Sequence, residues 1–129
     1  MPKLTADQAF ELSKAFRSIA IAIGNFREDN FETLKPAQMK RLEELEFDVL
    51  NDSTKFNQLS LSLSLDDLEA TLDRIGEATA KAQHAITNLK NVDKVIRIAS
   101  AAITMGAAIV SMNPGAIIGS IGNIIDVAS

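Results

Sequence analysis

The spacing of hydrophobic residues predicts an amphipathic helix near the N-terminus. Thr5 and Gln8 have the spacing of a capping box, in which the Thr hydroxyl accepts a backbone N–H and the Gln side chain reaches back to the cap residue. Large apolar residues then follow at alternating four- and three-residue steps, which places them on one side of a helix: Leu12, Phe16, Ile19, Ile23 and Phe26. The polar stretch 27–30 ends this pattern, and we expect the helix to end there.

A second helix is predicted to begin at Pro36, because proline is tolerated in the first turn. The same rhythm continues through Leu42, Leu45, Val49, Phe56, Leu59 and Leu63, with Asp52 standing where an apolar residue is due. One interpretation is a single long helix, kinked or straight. The alternative is a turn at 51–54 followed by a β-strand at 59–65, where leucine alternates with serine. No other segment alternates to partner such a strand, so we favour the helix.

The third predicted helix begins near Ser64, where a capping hydroxyl is followed by Asp66 and Asp67. Its apolar and small residues again recur at three and four: Leu65, Leu68, Leu72, Ile75, Thr79, Ala82, Ile86 and Leu89. The small residues in the middle of this stripe would let a neighbouring helix approach closely. The three predicted helices have similar lengths of about 36 to 42 Å and could pack side by side.

The last third of the chain has a different pattern. The 28 residues Ile98–Ile125 carry no charge, and Asn113, Pro114 and Gly115 form a strong helix-break signal within them. We therefore predict an apolar helical hairpin with arms at about 95–112 and 116–127. The expected fold is a single all-α domain, residues 1–129: an antiparallel bundle of three long amphipathic helices (1–94) plus the C-terminal hairpin (95–128).

Composition narrows the classes of function. With 129 residues, 47% of them hydrophobic and 23% charged, the chain can build one core, while its net charge of −4 disfavours a nucleic-acid partner. Its six Phe are the only aromatic residues, so a Trp/Tyr membrane-interface belt is absent. It has no cysteine, and its first residues lack the pattern of a conventional signal peptide. We expect a cytoplasmic protein, or one exported by another route, with conditional membrane association as an option.

We identify no catalytic, cofactor or metal residues and expect no small-molecule substrate. The one histidine, His84, has no second ligand at helical spacing and is interpreted as a surface or boundary residue. Glu69, Asp73 and Glu77 lie four residues apart, which is more typical of a solvated acidic face than of a cation site. The glycines at 115, 119 and 122 match no phosphate-binding motif.

Charge is distributed unevenly along the chain. Residues 43–77 contain ten acidic and two basic residues, a net of −8, whereas residues 78–97 have a net of +3. Lys90, Lys94 and Arg97 are predicted to share one helix face directly before the apolar hairpin. This face could contact anionic lipid headgroups, or it could be a solvated face that pairs with the acidic middle of the chain.

The hairpin supplies the remaining candidate contact residues. Gly115 and Gly119 have a small-xxx-small spacing, which Ala102 and Gly106 repeat on the other arm, and such spacing permits close helix contact. The residues predicted to contact a membrane or a partner helix are Ile98, Ile103, Gly106, Ile109, Pro114, Gly115, Ile118, Gly119 and Ile121. Each arm is shorter than the roughly 20 residues that cross a hydrocarbon core, so a stable two-pass anchor is not expected.

Two functional hypotheses follow from this organisation. In its layout, amphipathic helices with an apolar hairpin in the last third of the chain, the protein resembles α-helical pore-forming proteins such as colicin-type channel domains and helical cytolysins. This layout suggests a non-enzymatic protein that enters membranes or forms oligomeric pores. Acid would favour release of the hairpin, because neutralising the acidic stretch 43–77 lowers the barrier to approaching anionic lipid. The alternative is a soluble cytosolic interaction module of adaptor, chaperone or immunity type, whose hairpin forms the core or a homo-oligomer interface and whose acidic surface meets a protein partner.

Overall fold

A computed structural model describes residues 5–58, 68–88, 91–111 and 113–129. Every regular element in these ranges is an α-helix, which confirms the all-α prediction. The five helices are α1 (Ala6–Asp29), α2 (Pro36–Gln58), α3 (Leu68–Asn88), α4 (Val92–Val110) and α5 (Pro114–Ala128).

The sequence pattern predicts α1 closely. The Thr5 backbone N–H donates to Gln8 Oε1 at 3.0 Å and the Gln8 N–H donates to Thr5 Oγ1 at 3.1 Å, so the capping box is formed. All five stripe residues of this helix are buried. Their periodicity therefore determines which side of α1 faces the core.

Helix α2 begins at Pro36 as predicted and passes without a break through residues 51–54. The alternative turn at those residues is therefore wrong: Ser53 and Thr54 remain helical, and the Thr54 hydroxyl donates to the Leu50 carbonyl at 3.1 Å within the helix. The leucine–serine stretch 59–65 and the predicted cap Ser64 lie outside the described residues, so the strand and the continued helix remain untested. In α3, the stripe residues Ile75, Thr79, Ala82 and Ile86 are buried.

The break at Asn113 is confirmed, but the predicted hairpin bounds need correction. The Asn91 side chain accepts hydrogen bonds from the backbone of Asp93 and Lys94, so α4 begins at Val92, three residues before the predicted arm. The Asn113 side chain accepts from the Ala116 N–H at 3.1 Å, and α5 begins at Pro114 rather than at 116. Both corrections have one cause: an asparagine cap starts a helix at the next residue.

Helix α4 lies at the centre of the described part of the chain, because it contacts each of the other four helices. Helix α1 contacts α2, α3 and α4, whereas α5 contacts α3 and α4. The largest side chains that are almost fully buried come from all of the first four helices: Phe16, Ile19, Ile23, Leu42, Leu45, Phe56, Ile75, Ile86, Ile98 and Met105. The first arm of the hairpin is thus a core element.

Candidate functional site

A buried carboxylate joins α2 to the hairpin. Asp52 is only 8% exposed, and its Oδ2 atom has no hydrogen-bond partner among the described residues. It faces Gly106 of α4: a Cβ atom added to that glycine would overlap Asp52 Oδ2 and lie 3.1 Å from Phe16 Cε2. The absence of a side chain at Gly106 therefore leaves space for the carboxylate of Asp52. This carboxylate lies in the core at a position where the periodicity of α2 predicts an apolar residue.

Burial raises the pKa of Asp52 above its ordinary value. Lys55, one turn away, opposes this shift, whereas the neighbouring Asp48 adds to it. Because the folded state holds the proton more tightly than the unfolded chain, this group adds stability at low pH. That contribution is lost as the pH rises through the raised pKa. The contact between α2 and α4 is thus weakest when Asp52 is charged.

Further polar contacts fix α1 against α2. The Ser53 hydroxyl donates to the Ser13 carbonyl at 2.8 Å, and the two hydroxyls lie 2.9 Å apart in a buried position. Near the other end, Arg27 bridges Glu43 at 3.3 Å and Glu46 at 2.7 Å. The sequence pattern marked Arg27 only as the end of an apolar stripe, because its acidic partners lie on another helix.

The nine predicted hairpin contact residues differ in burial: four are buried, two are partly buried and three are exposed. Ile98, Gly106, Ile109 and Ile121 are buried, and Ile103 and Pro114 are partly buried. Gly115, Ile118 and Gly119 are exposed, with 53% of Ile118 accessible. The buried members already contact helices of their own chain, and the exposed ones are confined to α5.

Two of the three residues of the predicted basic face lie in the described part of the chain. Lys94 and Arg97 lie on α4, whereas Lys90 lies outside the described residues, so the prediction that all three cations share one helix face remains untested. Lys94 is partly buried, and its Nζ donates to the Ser129 carbonyl at 3.0 Å. Arg97 is exposed on α4.

An open groove of about 550 Å³ runs between α1 and α3. Leu12, Leu72 and Ile75 form its apolar floor, and the charged residues Asp7, Glu11, Lys14 and Asp73 are exposed along it. The rest of the lining consists of two glutamines and five small residues: Gln8, Gln83, Ala15, Ser18, Gly76, Thr79 and Ala80. The apolar periodicity of the third helix includes the small residues Thr79 and Ala82 but not Gly76 or Ala80, and it does not predict an open groove beside them.

Several large apolar side chains are also exposed on other surfaces of the described residues. Phe31 and Phe47 are each 68% exposed, and the set is completed by Phe10, Ile21, Leu50 and Ile118. Single exposed apolar residues are common in proteins. No predicted site includes them apart from Ile118.

The remaining polar candidates do not assemble a reactive centre. His84 is exposed, as predicted, and its carbonyl accepts from Asn88 Nδ2 at 2.8 Å. Glu69, Asp73 and Glu77 are all exposed on α3. Within the described ranges, no group of three or more histidine, cysteine or acidic residues could hold a metal ion.

None of the helices in the described ranges combines the length and apolarity needed to cross a membrane. No protein-family model matches the chain, and comparisons with curated proteins and with solved structures give no match either.

Proposed function

We propose that this chain is a non-enzymatic protein-interaction module. In this proposal three long antiparallel amphipathic helices and the C-terminal hairpin form one domain, residues 1–129, in which the hairpin serves as the core. The observation that carries the proposal is that α4 contacts all four other helices and buries Ile98, Met105 and Ile109 completely. The large apolar side chains at the centre of α4 are therefore already covered by protein, and the outer surfaces are available to a partner.

Hydrogen exchange followed by mass spectrometry tests this proposal, because a core hairpin exchanges only through large-scale opening. We expect the amides of α4 and α5 to be among the slowest in the chain, with one cooperative unfolding transition. Anionic liposomes should leave these rates unchanged at neutral and at acidic pH. Rapid exchange across 98–125 in water, or strong protection that appears only with lipid, would contradict the proposal.

The Asp52–Gly106 contact favours a second candidate, a membrane-active protein that releases its hairpin and forms oligomeric pores. A buried carboxylate without a hydrogen-bond partner destabilises the α2–α4 contact when it is charged. Release through this contact would be favoured at neutral pH, opposite in sign to the acid release expected from the acidic surface. Exposed Gly115, Ile118 and Gly119 would then be the first parts of the hairpin to reach a lipid surface.

Dye leakage and flotation with anionic liposomes at pH 5 and pH 7 test the second candidate. We expect leakage at pH 7 that falls when Asp52→Asn removes the buried charge. Glu44→Gln, an exposed change about two turns earlier on the same helix at a residue that does not contribute to the pKa shift of Asp52, is the matched control and should leave leakage unchanged. Absence of both leakage and flotation at either pH would exclude this candidate.

A further inference from the structure

We infer that the groove between α1 and α3 binds an amphipathic helix of a partner protein, one that presents an apolar ridge flanked by basic residues. This inference rests on the proposed interaction function and names the surface and the chemistry of the partner. Its three supports are the shape of the groove, the open space at Gly76 and the charge along its edges.

The dimensions of the groove suit a helix. Along α1 the groove runs from Asp7 to Ser18, about 16 Å at a rise of about 1.5 Å per residue, which is roughly three helical turns. Leu12 and Ile75 are buried beneath it and Leu72 is partly exposed within it, so the floor is apolar. An amphipathic helix can lay apolar side chains at positions i, i+3, i+4 and i+7 into such a floor.

Gly76 leaves space that nothing else in the described chain uses. A Cβ atom added there would meet no atom within 4 Å, in contrast to Gly106, where Asp52 and Phe16 fill the space. A glycine inside a helix costs about 1 kcal/mol relative to alanine. Packing within the described residues gives no reason for a glycine at position 76. A partner side chain that packs over the helix backbone would occupy the open space.

The charged residues along the groove indicate which charge a partner helix should carry. Among the residues that line the groove, Asp7, Glu11 and Asp73 are exposed against the one cation Lys14, so the lining has a net charge of −2. A helix with basic flanks is therefore attracted and an acidic one is repelled. A second copy of this chain is disfavoured as the occupant because the chain carries a net charge of −4.

The test uses a defined probe, a fluorescein-labelled 18-residue helix with leucine on one face and lysine on the others, titrated into the full chain by fluorescence anisotropy. The comparison peptide has glutamate in place of every lysine. We expect the leucine–lysine peptide to bind, with an affinity that falls as salt rises, and the glutamate peptide to bind at least tenfold more weakly. Equal binding of both peptides would overturn the inference.

Two pairs of variants locate the binding. Gly76→Leu fills the groove and should weaken peptide binding at least tenfold. Gly119→Leu, at an exposed helical glycine with equally open surroundings, is the matched control and should leave binding unchanged. Asp73→Lys should weaken binding several-fold and reduce its salt dependence, whereas Glu77→Lys, one turn along α3 and outside the groove, should do less. Circular dichroism tests whether each variant is folded. If Gly76→Leu does not fold, the comparison of Asp73→Lys with Glu77→Lys decides whether the peptide binds in the groove.

Equal effects within each pair would show binding elsewhere and overturn the inference. Sedimentation that reveals a dimer abolished by Gly76→Leu would assign the groove to a second copy instead and overturn it as well. A protected hairpin in the exchange experiment together with no groove-dependent binding would reject this inference while leaving the interaction function in place. An unprotected hairpin would reject the interaction function itself.

Discussion

Two helical glycines show how differently the two sides of this protein are built. Gly106 lies where α4 meets α1 and α2, and both Asp52 and Phe16 occupy the space that a side chain would need. Gly76 lies on α3 beside the α1–α3 groove, where that space is open. The same residue type thus permits close packing within the chain at one site and leaves room at the other. The junction around Gly106 should govern stability, whereas the groove should govern recognition.

Loss of a large side chain at the junction should have the greatest effect. Phe16 is fully buried and packs edge-to-face on Phe56, with ring centroids 4.9 Å apart. We expect Phe16→Ala to lower the free energy of unfolding by about 3 to 5 kcal/mol, measured by urea denaturation. Phe10→Ala on the exposed side of the same helix is the control, and an equal loss there would show that the junction is not special.

The periodicity that predicts Phe16 does not predict what surrounds it. The apolar stripe of α1 is local, since each member is fixed by its neighbours three or four residues away, and all five stripe residues are buried. In the sequence, Asp52 interrupts the apolar periodicity of α2. The reason it can be buried there, Gly106, belongs to another helix more than fifty residues later in the chain.

A methyl group at Gly106 should produce the next largest loss. The new Cβ overlaps Asp52 Oδ2, so we expect Gly106→Ala to destabilise the protein by about 1 to 2 kcal/mol despite the better helix propensity of alanine. The double variant Asp52→Ala/Gly106→Ala tests the cause, because a smaller residue at 52 relieves the overlap. Strictly additive losses in this cycle would show that the two residues are not coupled.

Neutralising Asp52 should stabilise the protein in a pH-dependent way. Asp52→Asn removes a buried charge at similar volume, and we expect a gain of about 1 kcal/mol at pH 7, measured by urea denaturation. Below the ordinary pKa of aspartate, about 4, the acid is protonated in both the folded and unfolded states and the gain should vanish. The gain should therefore grow as pH rises from about 4 through the raised pKa of Asp52.

Glu44→Gln is the control for that pH series, because Glu44 lies on the same helix, is exposed and does not contribute to the pKa shift of Asp52. Its stability difference from the natural sequence should stay small across the whole pH range. A gain for Asp52→Asn that does not change between pH 4 and pH 8 would mean that the buried carboxylate is not the titrating group.

The groove was harder to anticipate than the core. The sequence indicated small residues in the middle of the third helix, and Thr79 and Ala82 are indeed buried. Gly76 and Ala80 are small as well but lie on the groove side, where they are exposed. Periodicity assigns residues to faces of a helix, but whether a neighbouring helix covers a given face depends on tertiary packing. The sequence alone could therefore predict small residues but not an open groove.

The smallest expected change in the free energy of unfolding is that of Gly76→Ala, and its sign should be opposite to that of Gly106→Ala at the junction. Gly76→Ala adds a methyl group to open space and reduces the freedom of the unfolded chain, so we expect a gain of about 0.5 to 1 kcal/mol in urea denaturation. Gly106→Ala should give a loss in the same assay, and the pair compares one substitution in two environments. A loss at Gly76 would mean that its surroundings are packed rather than open. The groove would then have no room for a partner side chain at that point.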